Sequence, residues 1–308
     1  MVGRVYKSTG SWYLVRNKDG KEFNARIKGR FKIADITSTN PLAVGDEVEF
    51  EIENNEEANA VVNDIHPRKN YITRQSPHNK HQHHIIAANL DQALLFATLR
   101  DPKTSRGFID RFLITAEAYH IPAIIVFNKI DLYKKKEVEQ LEQLKEEYEH
   151  IGYTVLPISI FAKEGLEKVT HLLKDKITLL SGHSGVGKSS FINFILPDAV
   201  LKTQDVSNWS GKGLHTTTFA EMYNLPEGGR IIDTPGLREF ALMDIAKEEL
   251  SHYFPEMKEL VNECRFNNCI HVEEPGCAVK QAVEQGKISS GRYISYLNIL
   301  ASIHDKKW

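Results

Sequence analysis

Gly182-His183-Ser184-Gly185-Val186-Gly187-Lys188-Ser189 fits the pattern G-x-x-x-x-G-K-S. Glycines at this spacing let the backbone curl so that successive N–H groups converge on one centre, a geometry suited to polyphosphate. Lys188 is long enough to reach the β- and γ-phosphates, and the Ser189 hydroxyl is of the type that ligates the accompanying Mg²⁺. Such a loop needs a strand before it and a helix after it, because the helix N-terminus adds partial positive charge. Both are expected here: residues 177–180 read as a buried strand, and residues 189–196 (SSFINFIL) carry helical spacing. A glycine-rich turn without a ligand would not need all eight positions in register.

A phosphate cradle does not choose a base. Asn128-Lys129-Ile130-Asp131 follows the apolar run Ala123–Phe127, at the carboxyl edge where open α/β sheets bind ligands. The tetrapeptide resembles the guanine-recognition motif N-K-x-D of GTPases. In that role Asp131 accepts hydrogen bonds from guanine N1 and the exocyclic amine, a donor pair that adenine lacks. Asn128 would reach guanine O6 and N7, and the Lys129 stem would lie along the ring. Alone, the tetrapeptide fits a polar-capped turn equally well; beside a phosphate loop it specifies guanine. Residues 157–163 (PISIFAK) stand where GTPases place a second base-contacting loop, with Ile160 at a position more often small.

Asp233-Thr234-Pro235-Gly236 follows the short strand at 230–232 and matches D-x-x-G. In that motif the aspartate holds Mg²⁺ through water and the Gly236 N–H meets the γ-phosphate. Between the two phosphate motifs lies Gly211-Lys212-Gly213-Leu214-His215-Thr216-Thr217-Thr218. A threonine that ligates Mg²⁺ only while the γ-phosphate is present makes a switch. Three adjacent threonines qualify, and Thr217 is favoured. Leu237 takes the place where many GTPases carry the glutamine that orients the attacking water, so intrinsic hydrolysis is expected to be slow unless another group substitutes. His215 has the chemistry for that role; the alternative is a surface histidine in a glycine-bracketed loop.

Cys264-x4-Cys269-x-His271-x5-Cys277 gathers all three cysteines and one histidine into fourteen residues. Three thiolates and an imidazole suit tetrahedral Zn²⁺, and four protein ligands leave no open position, so such an ion would be structural. The spacing is not that of a standard zinc finger, which keeps small buried cysteines as the other reading.

The elements that must position these residues follow from composition and patterning. The chain has 308 residues, 41% hydrophobic and 26% charged, with a net charge of −2. A sizeable core is therefore expected, while wholesale disorder and a uniformly basic coat are excluded. No apolar run approaches the ~18 residues that span a bilayer. The opening residues lack the layout of a signal peptide, and three clustered cysteines make no secreted disulfide framework, so a reducing cytoplasm is expected.

Residues 1–66 alternate with period two in five short runs, which predicts a small closed β-barrel. Residues 1–40 carry nine basic and three acidic groups, whereas residues 41–60 carry seven acidic and none basic. That polarity fits either an oligonucleotide surface or a solvated strand face. Residues 67–90 read as a polar linker, whose His78, His81, His83 and His84 fit either a metal-binding tract or a solvated connector. Residues 91–240 alternate buried strands with helical periods at 108–120, 134–150 and 166–173, the pattern of a parallel sheet covered on both faces. Residues 241–308 read as helical around the cysteine cluster.

The order of the motifs is unusual. Asn128 precedes Gly182 by 54 residues, whereas in ordinary GTPases the phosphate loop comes first. The order here is a rotation of the usual one, as if the old termini were joined near Leu173–Ile177. Circular permutation is plausible physically because domain termini lie at the surface and close together.

With these motifs the chain resembles the circularly permuted, small-ribosomal-subunit-dependent GTPase family of bacteria. The resemblance covers nearly the whole length: barrel, permuted core, and cysteine segment followed by EPGCAVKQAVEQG. It implies a circularly permuted P-loop GTPase with a parallel-rich α/β sheet, an OB-like barrel before it and a small helical zinc-binding domain after it. It implies GTP hydrolysis to GDP with Mg²⁺, stimulated by the small (30S) ribosomal subunit in that subunit's late maturation, with the barrel on 16S rRNA. A cytoplasmic monomer with no membrane partner is expected. The family's GTP contacts carry over to Asn128–Asp131 and Gly182–Ser190, ending at Ser190. Its zinc ligands carry over to Cys264, Cys269, His271 and Cys277, and its pre-threonine histidine to His215. Leu214 and His183 depart from the family's common residues. The reading from a different class is an RNA-binding assembly chaperone that uses GTP mainly as a structural ligand, and Leu237 is what favours it.

Overall fold

Period-two patterning closes the N-terminal strands into a ring. β1 (Val2–Ser8), β2 (Tyr13–Asn17), β3 (Glu22–Ile27), β4 (Glu47–Ile52) and β5 (Asn59–Ile65) pair in the order β1-β2-β3-β5-β4, and β4 returns to β1. Closure removes the exposed edges that so small a sheet would otherwise carry. Val5, Val15, Phe23, Phe50 and Val62 fill the interior, with the Phe23 and Phe50 rings 5.1 Å apart. The computed structural model describes residues 1–9, 12–27, 41–53, 59–75, 83–197, 220–234 and 245–303. Four of the barrel's basic side chains are matched by acids: Arg4 with Glu47, Lys7 with Glu221, Arg16 with Glu22 and Arg26 with Glu53. The excess charge of residues 1–40 is thus largely paired where it is described. Lys28, Arg30 and Lys32 lie outside the described residues.

The polar stretch after the barrel is more structured than its composition suggests. β6 (Tyr71–Gln75) and β7 (His83–Ala88) form an antiparallel ribbon. Ile72, Ile85 and Ala88 are buried, enough apolar surface to hold a hairpin between polar flanks. His78 and His81 lie outside the described residues. Arg68 donates twice to Asp46, each bond 2.7 Å, with both side chains almost fully buried, and so ties the exit of the barrel back to it.

β8 (Gln92–Ala97), α1 (Arg106–Ala118), β9 (Ala123–Phe127), α2 (Lys135–His150), β10 (Thr154–Pro157), α3 (Leu166–Leu173), β11 (Ile177–Ser181), α4 (Lys188–Ile195), β12 (Glu221–Asn224) and β13 (Arg230–Asp233) follow. Their sheet runs β10-β9-β8-β11-β13-β12 and is parallel except for β12. β8 is buried at every position, as a central strand covered on both faces must be. α1 and α2 cover one face through Phe112, Leu113, Leu141 and Tyr148. α3 and α4 cover the other through Leu166, Val169, Phe191 and Ile192. β12 also pairs with β1 at Lys7 and Glu221, so barrel and core share one continuous sheet. Across that seam the Tyr6 hydroxyl donates to Asn224 Oδ1 at 2.6 Å and accepts from Arg230 at 2.9 Å.

α5 (Pro255–Lys258), α6 (Ala278–Glu284) and α7 (Ser290–Ser302) enclose a separate core of Phe254, Met257, Tyr296 and Ile299, into which α1 sends Ile114. The Arg292 guanidinium is fully buried at that junction. It bonds Asp110 of α1 at 2.6 Å and Glu256 at 2.7 Å, while the Tyr148 hydroxyl donates to the same Asp110 oxygen at 2.8 Å.

Candidate functional site

Three glycines with positive φ shape the turn from β11 into α4. Gly182, Gly185 and Gly187 stand at +137°, +83° and +104°. At Gly187 a side chain is excluded twice over: the backbone is left-handed, and a Cβ would lie 2.2 Å from Asn128 Nδ2. That close approach joins the two motifs read from the sequence. Asn128 is buried at the end of β9; its Nδ2 donates to the Val186 carbonyl at 2.8 Å, and its Oδ1 accepts from Ile160 N–H at 3.3 Å. The side chain expected to read guanine therefore first binds the phosphate loop to the base loop, with one amide hydrogen left over.

Lys188 begins α4 and curls over the loop, donating to the carbonyls of Gly182 and His183, the latter at 2.9 Å. Burial holds its ammonium below the ordinary lysine value, with Asp233 pulling the other way. Asp233 ends β13, where burial raises its carboxyl above the ordinary value, opposed by Lys188 and by the Thr234 N–H. Its Oδ1 is buried without a hydrogen-bond partner, as is the Ser181 hydroxyl. A buried carboxylate oxygen with no donor, electrostatically coupled to Lys188 at the start of α4, is a fitting place for a cation. His183 is shifted down by burial and by Lys188, and its ring stacks on Phe108 of α1 at 3.7 Å between centroids. Ser184, Gly185 and Val186 complete the loop, and Ser190 is exposed on α4.

The base loop is built around Lys129, a non-glycine residue at φ +65°. Its ammonium donates to the Asp101 carbonyl. Ile130 and Asp131 enter a single helical turn, with Asp131 open to solvent. The Ser159 hydroxyl donates to Asp131 Oδ1 and accepts from Ala162 N–H at 2.9 Å, which leaves the other carboxylate oxygen free. The Tyr133 hydroxyl donates to the Asn128 carbonyl at 3.0 Å and accepts from Leu99 N–H at 2.9 Å; burial pushes its pKa up to about 12. Ser159 and Tyr133 were not singled out in the sequence. The only signal for Ser159 was its place beside Ile160 in the second loop, and Tyr133 gave none. Gly236, Leu237, His215 and Thr216–Thr218 lie outside the described residues.

Cys264, Cys269, His271 and Cys277 come together in the C-terminal segment, with one ligand atom from each within 4.8 Å of the others. His271 Nδ1 is 3.3 Å from Cys277 Sγ and 3.6 Å from Cys264 Sγ, and those two sulfurs are 4.0 Å apart. These separations suit the edges of a tetrahedron built on metal–sulfur bonds of ~2.3 Å. The turn that carries His271 is braced by Glu274, which accepts from Ile270 N–H at 2.7 Å and Val272 N–H at 2.8 Å on either side of His271 at φ +58°. Cys277 also caps α6 by accepting from Lys280 N–H. The donor set fits a metal ion, and among the described residues no other such cluster occurs.

A parallel sheet with its phosphate loop after β11, its base loop after the earlier β9, and the two bonded side by side defines a circularly permuted P-loop GTPase. The chain belongs to the RsgA GTPase family: the RsgA GTPase model matches residues 65–243 and the RsgA N-terminal domain model residues 2–59. It is 50% identical over 301 residues to the small ribosomal subunit biogenesis GTPase RsgA of Flavobacterium psychrophilum, covering 97% of this chain and 92% of that one. The RsgA of Cytophaga hutchinsonii is 52% identical over 300 residues, covering 97% and 98%. The crystal structure of YjeQ from Thermotoga maritima superposes with a TM-score of 0.80 at 32% identity, covering 99% of both chains. That of YloQ, a circularly permuted GTPase, gives 0.75 at 32% identity over 100% and 96%. No helix of the described residues is long and apolar enough to cross a membrane.

Proposed function

We propose that this chain hydrolyses GTP to GDP and phosphate in the biogenesis of the small ribosomal subunit, and that the subunit stimulates hydrolysis. The observation that carries the nucleotide part is the Asn128–Val186 bond, which holds the guanine-type and phosphate-type motifs side by side. The loop N–H groups of Gly182–Ser190 and the Lys188 ammonium bind the phosphates. Asp131 accepts from the guanine edge, and Lys129 covers the ring. Ser189, Thr217 and Asp233 hold Mg²⁺, which neutralises charge on the transferred phosphoryl group. Gly236 contacts the γ-phosphate, and His215 supplies the polar group that Leu237 lacks for the attacking water.

In the C-terminal segment Cys264, Cys269, His271 and Cys277 hold one structural Zn²⁺, which organises a region with a small core. Metal analysis of the purified chain is expected to return one zinc per molecule, and its loss in Cys277→Ser. The partner named for the relatives is the small subunit; with it comes 16S rRNA, met by the barrel, in the cytoplasm. The decisive experiment is multiple-turnover GTP hydrolysis with and without purified small subunits. A rate that rises at least tenfold is the expected result. An unchanged rate with normal GTP binding would instead favour a chaperone that holds GTP as a structural ligand.

A further inference from the structure

The His183 side chain leaves the phosphate loop and ends on α1. Its ring stacks on Phe108, with centroids 3.7 Å apart and planes 30° from parallel. Burial, and behind it the Lys188 ammonium, holds the imidazole pKa below the ordinary value, so the ring is neutral near neutral pH and brings no charge to a phosphate site. The same residue offers its carbonyl to the lysine of the loop: Lys188 Nζ donates to the His183 carbonyl at 2.9 Å and to the Gly182 carbonyl. Those two carbonyls are placed by different means. Gly182 is pressed against β8, where a Cβ would stand 2.3 Å from the Phe96 carbonyl oxygen. His183, one residue on, is held by its ring. Phe108 is a firm support for it. The Ser105 hydroxyl caps α1 by accepting from the Phe108 N–H at 3.2 Å, and the Phe108 side chain packs on the main core. Asp110 of the same helix is bonded to Tyr148 and Arg292, and Ile114 lies in the core of the C-terminal segment. A helix fastened on both sides does not follow a loop that relaxes.

We propose that Phe108 is a positioning residue for phosphate binding: it fixes His183, and through the His183 carbonyl it holds the Lys188 ammonium where the β- and γ-phosphates are met. This rests on the phosphate-loop reading of Gly182–Ser190 and adds to it a residue of α1 that no nucleotide motif contains. Without the stack the His183 peptide is free to turn, and Lys188 loses one of the two acceptors that aim it. Neither ring touches the nucleotide, so the effect falls on the polyphosphate and not on the base.

The test uses the full chain. Phe108→Leu keeps an apolar side chain but removes the ring face, and Phe108→Tyr keeps the face. Phe108→Leu is expected to weaken GDP binding by about two- to tenfold, the range an aromatic pair supplies, with Phe108→Tyr close to wild type. Inorganic pyrophosphate, which has no base, is expected to lose the same factor by calorimetric titration. The KM for GTP is expected to rise by that factor too, whereas a variant that only folds less well lowers the apparent kcat and leaves KM where it was. His183→Ala completes a double-mutant cycle: it is expected to cost what Phe108→Leu costs, and the double variant no more than either single one. Unchanged GDP binding in Phe108→Leu, or losses that multiply in the double variant, overturn the inference and leave the GTPase reading intact. A loss for GDP without one for pyrophosphate, or a fall in kcat at constant KM, also overturns it. Absence of GDP and pyrophosphate binding by the unsubstituted chain overturns the phosphate-loop reading and this inference with it.

Discussion

The Asn128 side-chain amide donates to the carbonyl of Val186 across 2.8 Å, although 58 residues separate them. One bond thus joins the two loops whose order along the chain is inverted, and Gly187 keeps the space open for it. The bond is buried, so removing the donor leaves a carbonyl without a partner. Asn128→Ala is expected to destabilise the chain by ~1–3 kcal/mol and to weaken GDP binding by about tenfold or more, since both loops lose their common anchor. Chemical denaturation and calorimetric titration measure the two effects separately.

Asp131 has one oxygen engaged by the Ser159 hydroxyl and one free. In Asp131→Asn the amide cannot accept from both guanine donors, and its own N–H₂ suits the extra carbonyl of xanthine. Loss of a charge-assisted pair is worth ~1.5–3 kcal/mol, so GDP binding should fall by roughly ten- to hundredfold while xanthosine diphosphate binding rises. Competition between the two nucleotides for each variant checks the exchange, and Ser159→Ala should lower GDP affinity without reversing the preference.

Asp233 bears an unpartnered buried oxygen and a carboxyl pKa raised mainly by burial. A raised folded-state pKa means that the native state binds more protons than the unfolded one just above the ordinary aspartate value. Its stability contribution is complete below the ordinary value near 3.8 and is lost as pH rises through the raised value. Asp233→Asn removes that loss. The nucleotide-free variant is therefore expected to be more stable than wild type at neutral pH by about 1 kcal/mol, the difference shrinking toward pH 4. On the proposed role of Asp233, holding Mg²⁺ through water, GTP hydrolysis should fall by two orders of magnitude or more. Thermal melts across pH and a steady-state assay measure both.

Much of this was legible before any coordinates. The barrel strands, the parallel core and the phosphate loop follow from periods of two and 3.6 and from glycine spacing, which are local properties, and the base loop from its resemblance to the N-K-x-D motif. β8–β11 and α3 lie within two residues of the runs read for them. The 67–90 hairpin was missed because its apolar content is small and its partner strand lies across a polar gap. Ser159 and Tyr133 act through hydrogen bonds to residues 28 and five positions away; the second loop marks the neighbourhood of Ser159 without its role, and nothing marks Tyr133. The pairing of Arg4, Lys7, Arg16 and Arg26 with glutamates is likewise a matter of register, which a charge count does not contain.

By charge and place beside the cysteine cluster Arg292, like Arg265 and Lys280, could face RNA; it is instead fully buried on Asp110 and Glu256 and fastens the cysteine segment to the core. Burial works against its charge, and the carboxylates of Asp110 and Glu256 outweigh that, holding its pKa above the ordinary arginine value. Its guanidinium also lies 4.6 Å from the centre of the Phe254 ring. Asp110 sits on α1, two residues after Phe108, and Phe108 stacks on His183 of the phosphate loop. Arg292→Ala would leave two buried carboxylates facing each other and is expected to cost ~3–5 kcal/mol, far more than removal of a surface pair. The loss should appear first at the seam between α1 and α7. Hydrogen exchange is therefore expected to rise there while β8 and β11 stay protected, and limited proteolysis should release residues 245–303 from an intact core. Arg292→Lys, a point charge without the fork that spans Asp110 and Glu256, should recover only part of the stability. A variant whose exchange rises uniformly across the core strands would show that the seam does not open on its own.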